Sequence, residues 1–145
     1  MGRLALGSRL MAGERQTVYA QGAPAAIGPY SHAVAVDLRE SGGLLFCSGQ
    51  VPLDPHSGEI VGATAAEQAV RCLENLRAVC EAAGTTLQRA VRMTVYMTDL
   101  SAFAQVNEVY ASFFAGDDPP ARVAVGVAAL PRGAQVEIDA IVALD

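Results

Sequence analysis

The sequence predicts an α+β domain in which one mixed six-stranded β-sheet carries two helices on a single face. Three observations support this. The chain has 145 residues, 52% hydrophobic and 17% charged, which suits one core and one domain. Its apolar periodicity switches between two and about 3.6 residues along the chain, giving the order β-β-β-α-β-α-β-β. Only two segments are helical, so no third layer covers the second sheet face.

The regular pattern begins at Thr17. Residues 1–15 hold three arginines and one acid; they read as a disordered extension, with Met11 as an alternative start, and leave 16–145 as the domain. After the Gly28-Pro29 turn signal, Tyr30, His32, Val34, Val36 and Leu38 alternate with Ser31, Ala33, Ala35 and Asp37, the pattern of a strand. Ser41-Gly42-Gly43 turns the chain into a second strand, Leu44–Gln50, which pairs with the first as a hairpin, and Asp54–Gly58 is a polar loop.

Thr64 and Glu67 form a capping box. Ala69, Leu73, Leu76, Cys80 and Ala83 then recur at helical spacing up to Gly84, which predicts a helix over 65–83. Residues 91–98 alternate Val91, Met93, Val95 and Met97 with Arg92, Thr94, Tyr96 and Thr98, another strand. Asp99 or Ser101 caps a second helix, 101–114, with Phe103, Val106, Tyr110 and Phe113 or Phe114 on its apolar face, ending at Gly116-Asp117-Asp118-Pro119-Pro120. Strands follow at 122–127 and 135–144, joined by the Leu130–Gly133 turn and read as a closing hairpin. Val34, Val36, Met93, Val95, Val125, Val127, Ile138 and Val142 cannot all lie under two helices, so the bare face predicts a closed homo-oligomer.

Composition excludes several chemistries. All ten basic residues are arginine. Without a lysine there is no Schiff base, no lysine-held pyridoxal phosphate and no P-loop. A cationic group in any site is therefore a guanidinium, suited to gripping a carboxylate or phosphate rather than to trading protons. The net charge of −5, with no basic run, argues against nucleic acid as a partner. Cys47, Cys72 and Cys80 are an odd number without CxxC spacing, with no metal or disulfide framework implied; Cys80 on the first helix stripe and Cys72 beside it read as core packing. No apolar run reaches membrane-spanning length, so a soluble, cytoplasmic chain is expected. His32 reads as a structural histidine and His56 as part of a turn.

Two residues stand out. Arg122 opens a strand behind Pro119-Pro120-Ala121, and Glu137 sits in the middle of the last strand on the face it shares with Asp139 and Ile141, opposite Val136, Ile138, Ala140 and Val142. On spacing alone this reads as a solvated strand face with an ordinary cross-strand ion pair. The blocks Ala23–Ser31, Ser48–Pro52, Asn75-Leu76, Thr94–Leu100, Phe103–Asn107, Pro120–Arg122, Leu130-Pro131 and Val136–Ile138 together resemble the RidA/YjgF family of enamine/imine deaminases, over about residues 17 to 143.

The resemblance implies a chorismate-mutase-like α+β subunit, a homotrimer, and ligand clefts between subunits. It also implies a cofactor-free hydrolysis of a 2-imino acid to a 2-keto acid and ammonia. Arg122 would hold the substrate carboxylate, and Glu137 would handle the attacking water. Tyr30, Gly49, Phe103 and Asn107 would surround the pocket. Ala124 departs from the cysteine frequent in relatives, which sets aside any role for a thiol there. Two other readings stay open at this stage: a non-catalytic module that binds small carboxylates, and an RNA-cleaving translation inhibitor, which the acidic, lysine-free composition disfavours.

Overall fold

The computed structural model describes residues 15–38, 42–116 and 118–145. Residues 1–14, Ser41 of the expected turn and Asp117 of the expected helix end lie outside the described residues. Six strands form one mixed sheet: β1 (Arg15–Val18), β2 (Ala33–Asp37), β3 (Gly43–Gln50), β4 (Ala90–Met97), β5 (Ala121–Gly126) and β6 (Val136–Leu144), in the order β1-β2-β3-β6-β4-β5. Helices α1 (Ala65–Ala82) and α2 (Phe103–Phe113) pack on one face. This is the expected architecture, and the elements given bounds from sequence end within three residues of their expected positions; β1 has none, and its first residue, Arg15, belongs to the segment read as an extension.

The closing hairpin does not form. β5 runs parallel to β4, and β6 inserts between β3 and β4, antiparallel to both. A crossover through a helix must deliver its second strand parallel to the first. With α2 as the crossover, β5 therefore takes the outer edge of β4, and β6 returns to fill the gap beside β3.

Alternation along each strand divides the sheet into a covered and an open face. Leu45, Met93, Val95, Met97, Val136, Ile138 and Val142 are buried against Leu73, Leu76, Val79 and Cys80 of α1 and Val106 of α2. On β2 the small residues Ala33 and Ala35 face the helices. Val34 and Val36 are only half-buried, on the opposite side, which they share with Leu44, Phe46, Ile141 and the exposed Val123 and Val125. So of the eight residues expected to compete for the helices, Met93, Val95, Ile138 and Val142 win.

Local chemistry fixes the element ends. Thr64 Oγ1 accepts from the Glu67 N–H at 3.2 Å, and Glu67 Oε2 accepts from the Ala63 N–H at 2.9 Å, one residue further back than a strict capping box requires. Asp99 Oδ1 caps the short turn before α2 by accepting from the Ser101 N–H at 2.9 Å. His32 begins no strand; it lies buried just before β2. Its Nδ1 accepts from the Ala20 N–H at 2.8 Å, which leaves Nε2 to carry the proton and donate to Pro24 O at 2.7 Å. His56 sits in a turn organised by Asp54, whose Oδ1 accepts from the His56 and Ser57 N–H groups.

Two buried amides on α1, seven residues apart, tie the connecting segments to the helix. Asn75 Nδ2 donates to Leu53 O at 3.0 Å and Val51 O at 3.3 Å. Gln68 Oε1 accepts from the Gln135 N–H at 2.8 Å, while its Nε2 donates to Gly62 O at 3.1 Å. Removing Asn75 takes the side-chain donor from Leu53 O, while Val51 O keeps the Leu53 N–H at 2.8 Å. Asn75→Ala is expected to destabilise the fold by about 1–3 kcal/mol, measured as a lower urea midpoint at unchanged m-value.

Candidate active site

The loop before β2, the end of β3 and the start of β6 converge on an open cleft of about 240 Å³, lined by Ile27, Tyr30, Ser48, Gly49, Val51, Pro131 and Glu137. Each wall has a local cause. Tyr30 stands clear of the expected strand because its segment bends: the Tyr30 N–H donates to Gly28 O at 2.9 Å, and Tyr30 Oη accepts from the Ile27 N–H at 3.2 Å. Ser48 Oγ donates to Ser31 O at 2.6 Å and so joins the Tyr30 segment to β3.

Gly49 lies within an irregularity of the β3–β6 pairing between Cys47 and Gln50. A β-carbon at Gly49 would collide with Glu137 Oε2 and come within 3.0 Å of Glu137 Cδ. The missing side chain is thus the space into which Glu137 lays its carboxylate. Glu137 is half-buried there. Burial first, and the neighbouring Asp139 charge second, raise its carboxyl pKa above the ordinary value. Asp139 itself accepts a hydrogen bond from Tyr96 Oη at 3.1 Å.

Arg122 lies elsewhere. In the sheet register it pairs with Met93, whereas Glu137 pairs with Tyr96. Met93 and Tyr96 are three residues apart and so point to opposite faces. Arg122 therefore emerges on the helix side, and Glu137 on the open side. The offset is about 10 Å along the strands and two strand spacings across. The expected cross-strand ion pair is absent. Instead Arg122 Nη1 donates to Asn107 Oδ1 at 2.7 Å, and the guanidinium lies over the rings of Tyr110 and Phe103, 4.7 and 5.4 Å from their centroids.

The six expected site residues thus fall into two groups. Tyr30, Gly49 and Glu137 share the cleft. Arg122, Phe103 and Asn107 form a separate cluster on the edge strand and α2.

A family model described as Endoribonuclease L-PSP matches residues 20–144. The chain belongs to the RidA/YjgF family. Among its relatives, Protein DfrA of Myxococcus xanthus is 52% identical over 127 residues, 88% of this chain and 94% of that one. The 2-iminobutanoate/2-iminopropanoate deaminase of Mus musculus is 46% identical over 127 residues, 88% and 90% of the two chains. Escherichia coli TdcF, solved with bound serine, superposes with a TM-score of 0.80 at 40% identity, covering 90% of this chain and 99% of that one.

In this RidA/YjgF chain, sequence reasoning missed Ile27, Ser48, Val51 and Pro131 as cleft walls, although all four lie within the blocks that carried the resemblance. It placed Tyr110 on the apolar face of a helix. The signal for a second role was its spacing from Phe103 and Asn107, seven and three residues on, which puts all three on one side of α2. Among the described residues no cluster of His, Cys, Asp and Glu could hold a metal ion, and no helix is long and apolar enough to cross a membrane. Cys47, Cys72 and Cys80 are free and buried. Burial raises the Cys72 thiol pKa, and a hydrogen bond with Cys80 together with burial raises that of Cys47.

Because the atom facing Gly49 ends a flexible side chain, Gly49→Ala is expected to move Glu137 rather than the backbone. The melting temperature should stay within a few degrees of the parent, while a crystal structure of the variant should show the Glu137 carboxylate displaced from the cleft.

Proposed function

We propose that this chain is a cytoplasmic hydrolytic deaminase of 2-imino acids, releasing a 2-keto acid and ammonia, and that it works as a homotrimer with its sites between subunits. The reading rests on one observation above all. A half-buried carboxylate that holds its proton more tightly than usual is seated against Gly49 in an open cleft, in a chain 46% identical to a 2-iminobutanoate/2-iminopropanoate deaminase. A general base works best with a pKa moved toward the operating pH, and desolvation moves Glu137 in that direction.

In the proposed reaction the substrate carboxylate meets Arg122 in a bidentate pair, which fixes C2 beside the cleft. Glu137 takes a proton from a water molecule as its oxygen bonds to C2 of the protonated imine. The resulting carbinolamine takes that proton from Glu137 on nitrogen, the C–N bond breaks and ammonia leaves, and the C2 hydroxyl gives its own proton to the freed Glu137 carboxylate as it becomes the ketone. The protein contributes position and proton handling.

One subunit cannot do this alone, because Arg122 and Glu137 occupy opposite faces of its sheet. The apolar open face, with Phe46 42% exposed, gives a surface for copies to meet in closed symmetry. An Arg122 from one copy can then face the Glu137 cleft of the next. The three free thiols suit a reducing compartment.

The test couples a serine or threonine dehydratase to semicarbazide trapping of the imine. The wild-type protein is expected to speed keto-acid release, and Arg122→Ala and Glu137→Gln each to abolish the effect; no acceleration by wild type would overturn the reading. Mixed subunits test the shared site. Co-refolding Arg122→Ala with Glu137→Gln at equal amounts should restore about a quarter of the activity, since random assembly makes that share of sites intact. The pH profile tests Glu137 as base. It must be deprotonated to act, so the rate should climb with pH through a midpoint above the ordinary glutamate value of 4.5, and Asp139→Asn should shift that limb to lower pH.

A further inference from the structure

Arg122 stands on an edge strand whose residues are all exposed except the half-buried Ala124. A free arginine side chain there would spread over many rotamers, and a ligand that had to order it would lose affinity to that ordering. The structure instead holds its guanidinium on three side chains of α2. Asn107 takes one Nη1 hydrogen, and Tyr110 and Phe103 lie against the planar group. Of the two rings, Tyr110 is the nearer.

Tyr110 itself is 7% exposed, and its hydroxyl is buried with no hydrogen-bond partner. Its ring is fixed in turn by Phe114, with centroids 4.8 Å apart. A buried phenol without a partner incurs a desolvation penalty, so what the position uses is the aromatic face. A ring face beneath a guanidinium attracts it and leaves the in-plane N–H edge free. Arginine has five N–H donors and Asn107 occupies one, so a pair remains for a planar anion arriving in that plane.

We infer that Tyr110 is a positioning residue for Arg122, presetting the plane of the guanidinium so that a substrate carboxylate meets it edge-on. The inference deepens the deaminase reading and rests on it for the identity of the ligand. It gives a division of labour on α2: Asn107 fixes one end of the guanidinium, and the rings fix its tilt.

The experiment compares Tyr110→Phe, which keeps the ring, with Tyr110→Leu, which keeps apolar bulk and loses it; Tyr110→Met serves if the leucine variant does not fold. Tyr110→Phe is expected to keep KM within about twofold of wild type and to melt no lower than wild type. Tyr110→Leu is expected to raise KM for 2-iminobutanoate about threefold to thirtyfold, with kcat little changed.

The same variants are titrated with 2-oxobutanoate, so that carboxylate binding is read separately from turnover. If wild type binds 2-oxobutanoate through Arg122 yet does not accelerate imine hydrolysis, the deaminase reading fails while the Kd series still decides the cradle. A leucine variant with unaltered KM and Kd, alongside an Arg122→Ala variant that loses both, overturns the inference and leaves the deaminase reading standing. An equal loss in Tyr110→Phe and Tyr110→Leu also overturns it, because the hydroxyl would then be the working group.

Discussion

The sheet depends on β6 lying between β3 and β4. Paired on both sides by antiparallel neighbours, it satisfies its backbone polar groups without water, and its alternate residues reach both faces. Val136, Ile138, Ala140 and Val142 anchor the core beneath α1 and α2. The same alternation obliges Glu137 and Asp139 to point the other way, at the middle of a surface where carboxylates are partly desolvated. The raised proton affinity of Glu137 follows from burial that the strand order imposes.

The second consequence of this arrangement is a division between faces. Two helices cover one side only, and β2 shows how the residues sort. Ala33 and Ala35 fit closely under the layer above, so the larger Val34 and Val36 are left on the open side. An apolar surface of that kind is stabilised by contact with another surface. In the proposed assembly the contact also has a catalytic purpose, since it is what brings an arginine to a glutamate that its own subunit holds apart.

Much of this was legible in the sequence, and the rest was not, for identifiable reasons. Helix 65–83 was visible because Thr64, Glu67 and Gly84 mark its ends by local chemistry, and the strand at 91–98 because β-branched residues alternate there. Local signals do not name a strand's neighbours. The turn at Leu130–Gly133 read as a hairpin because two strands flank it, yet α2 had already committed β5 to the far edge of β4. The same gap affected the site. Arg122 and Glu137 could be singled out from the chain, and the family blocks supplied Tyr30, Gly49, Phe103 and Asn107. That they form two clusters on opposite faces is a property of register, which no residue pattern shows. Tyr110 was read as core, and it is core; its second role exists only because β5 brings Arg122 over its ring.

Gly49 and Glu137 occupy one volume between them. The carboxylate lies where a β-carbon at position 49 would stand, so neither position is free to vary by itself. A side chain at 49 could enter only if the acid at 137 were shortened or withdrawn, and a shorter acid would leave a gap that the glycine cannot fill. The two positions, 88 residues apart in the chain, are expected to drift as a linked pair, and a change at either one narrows what the other can become.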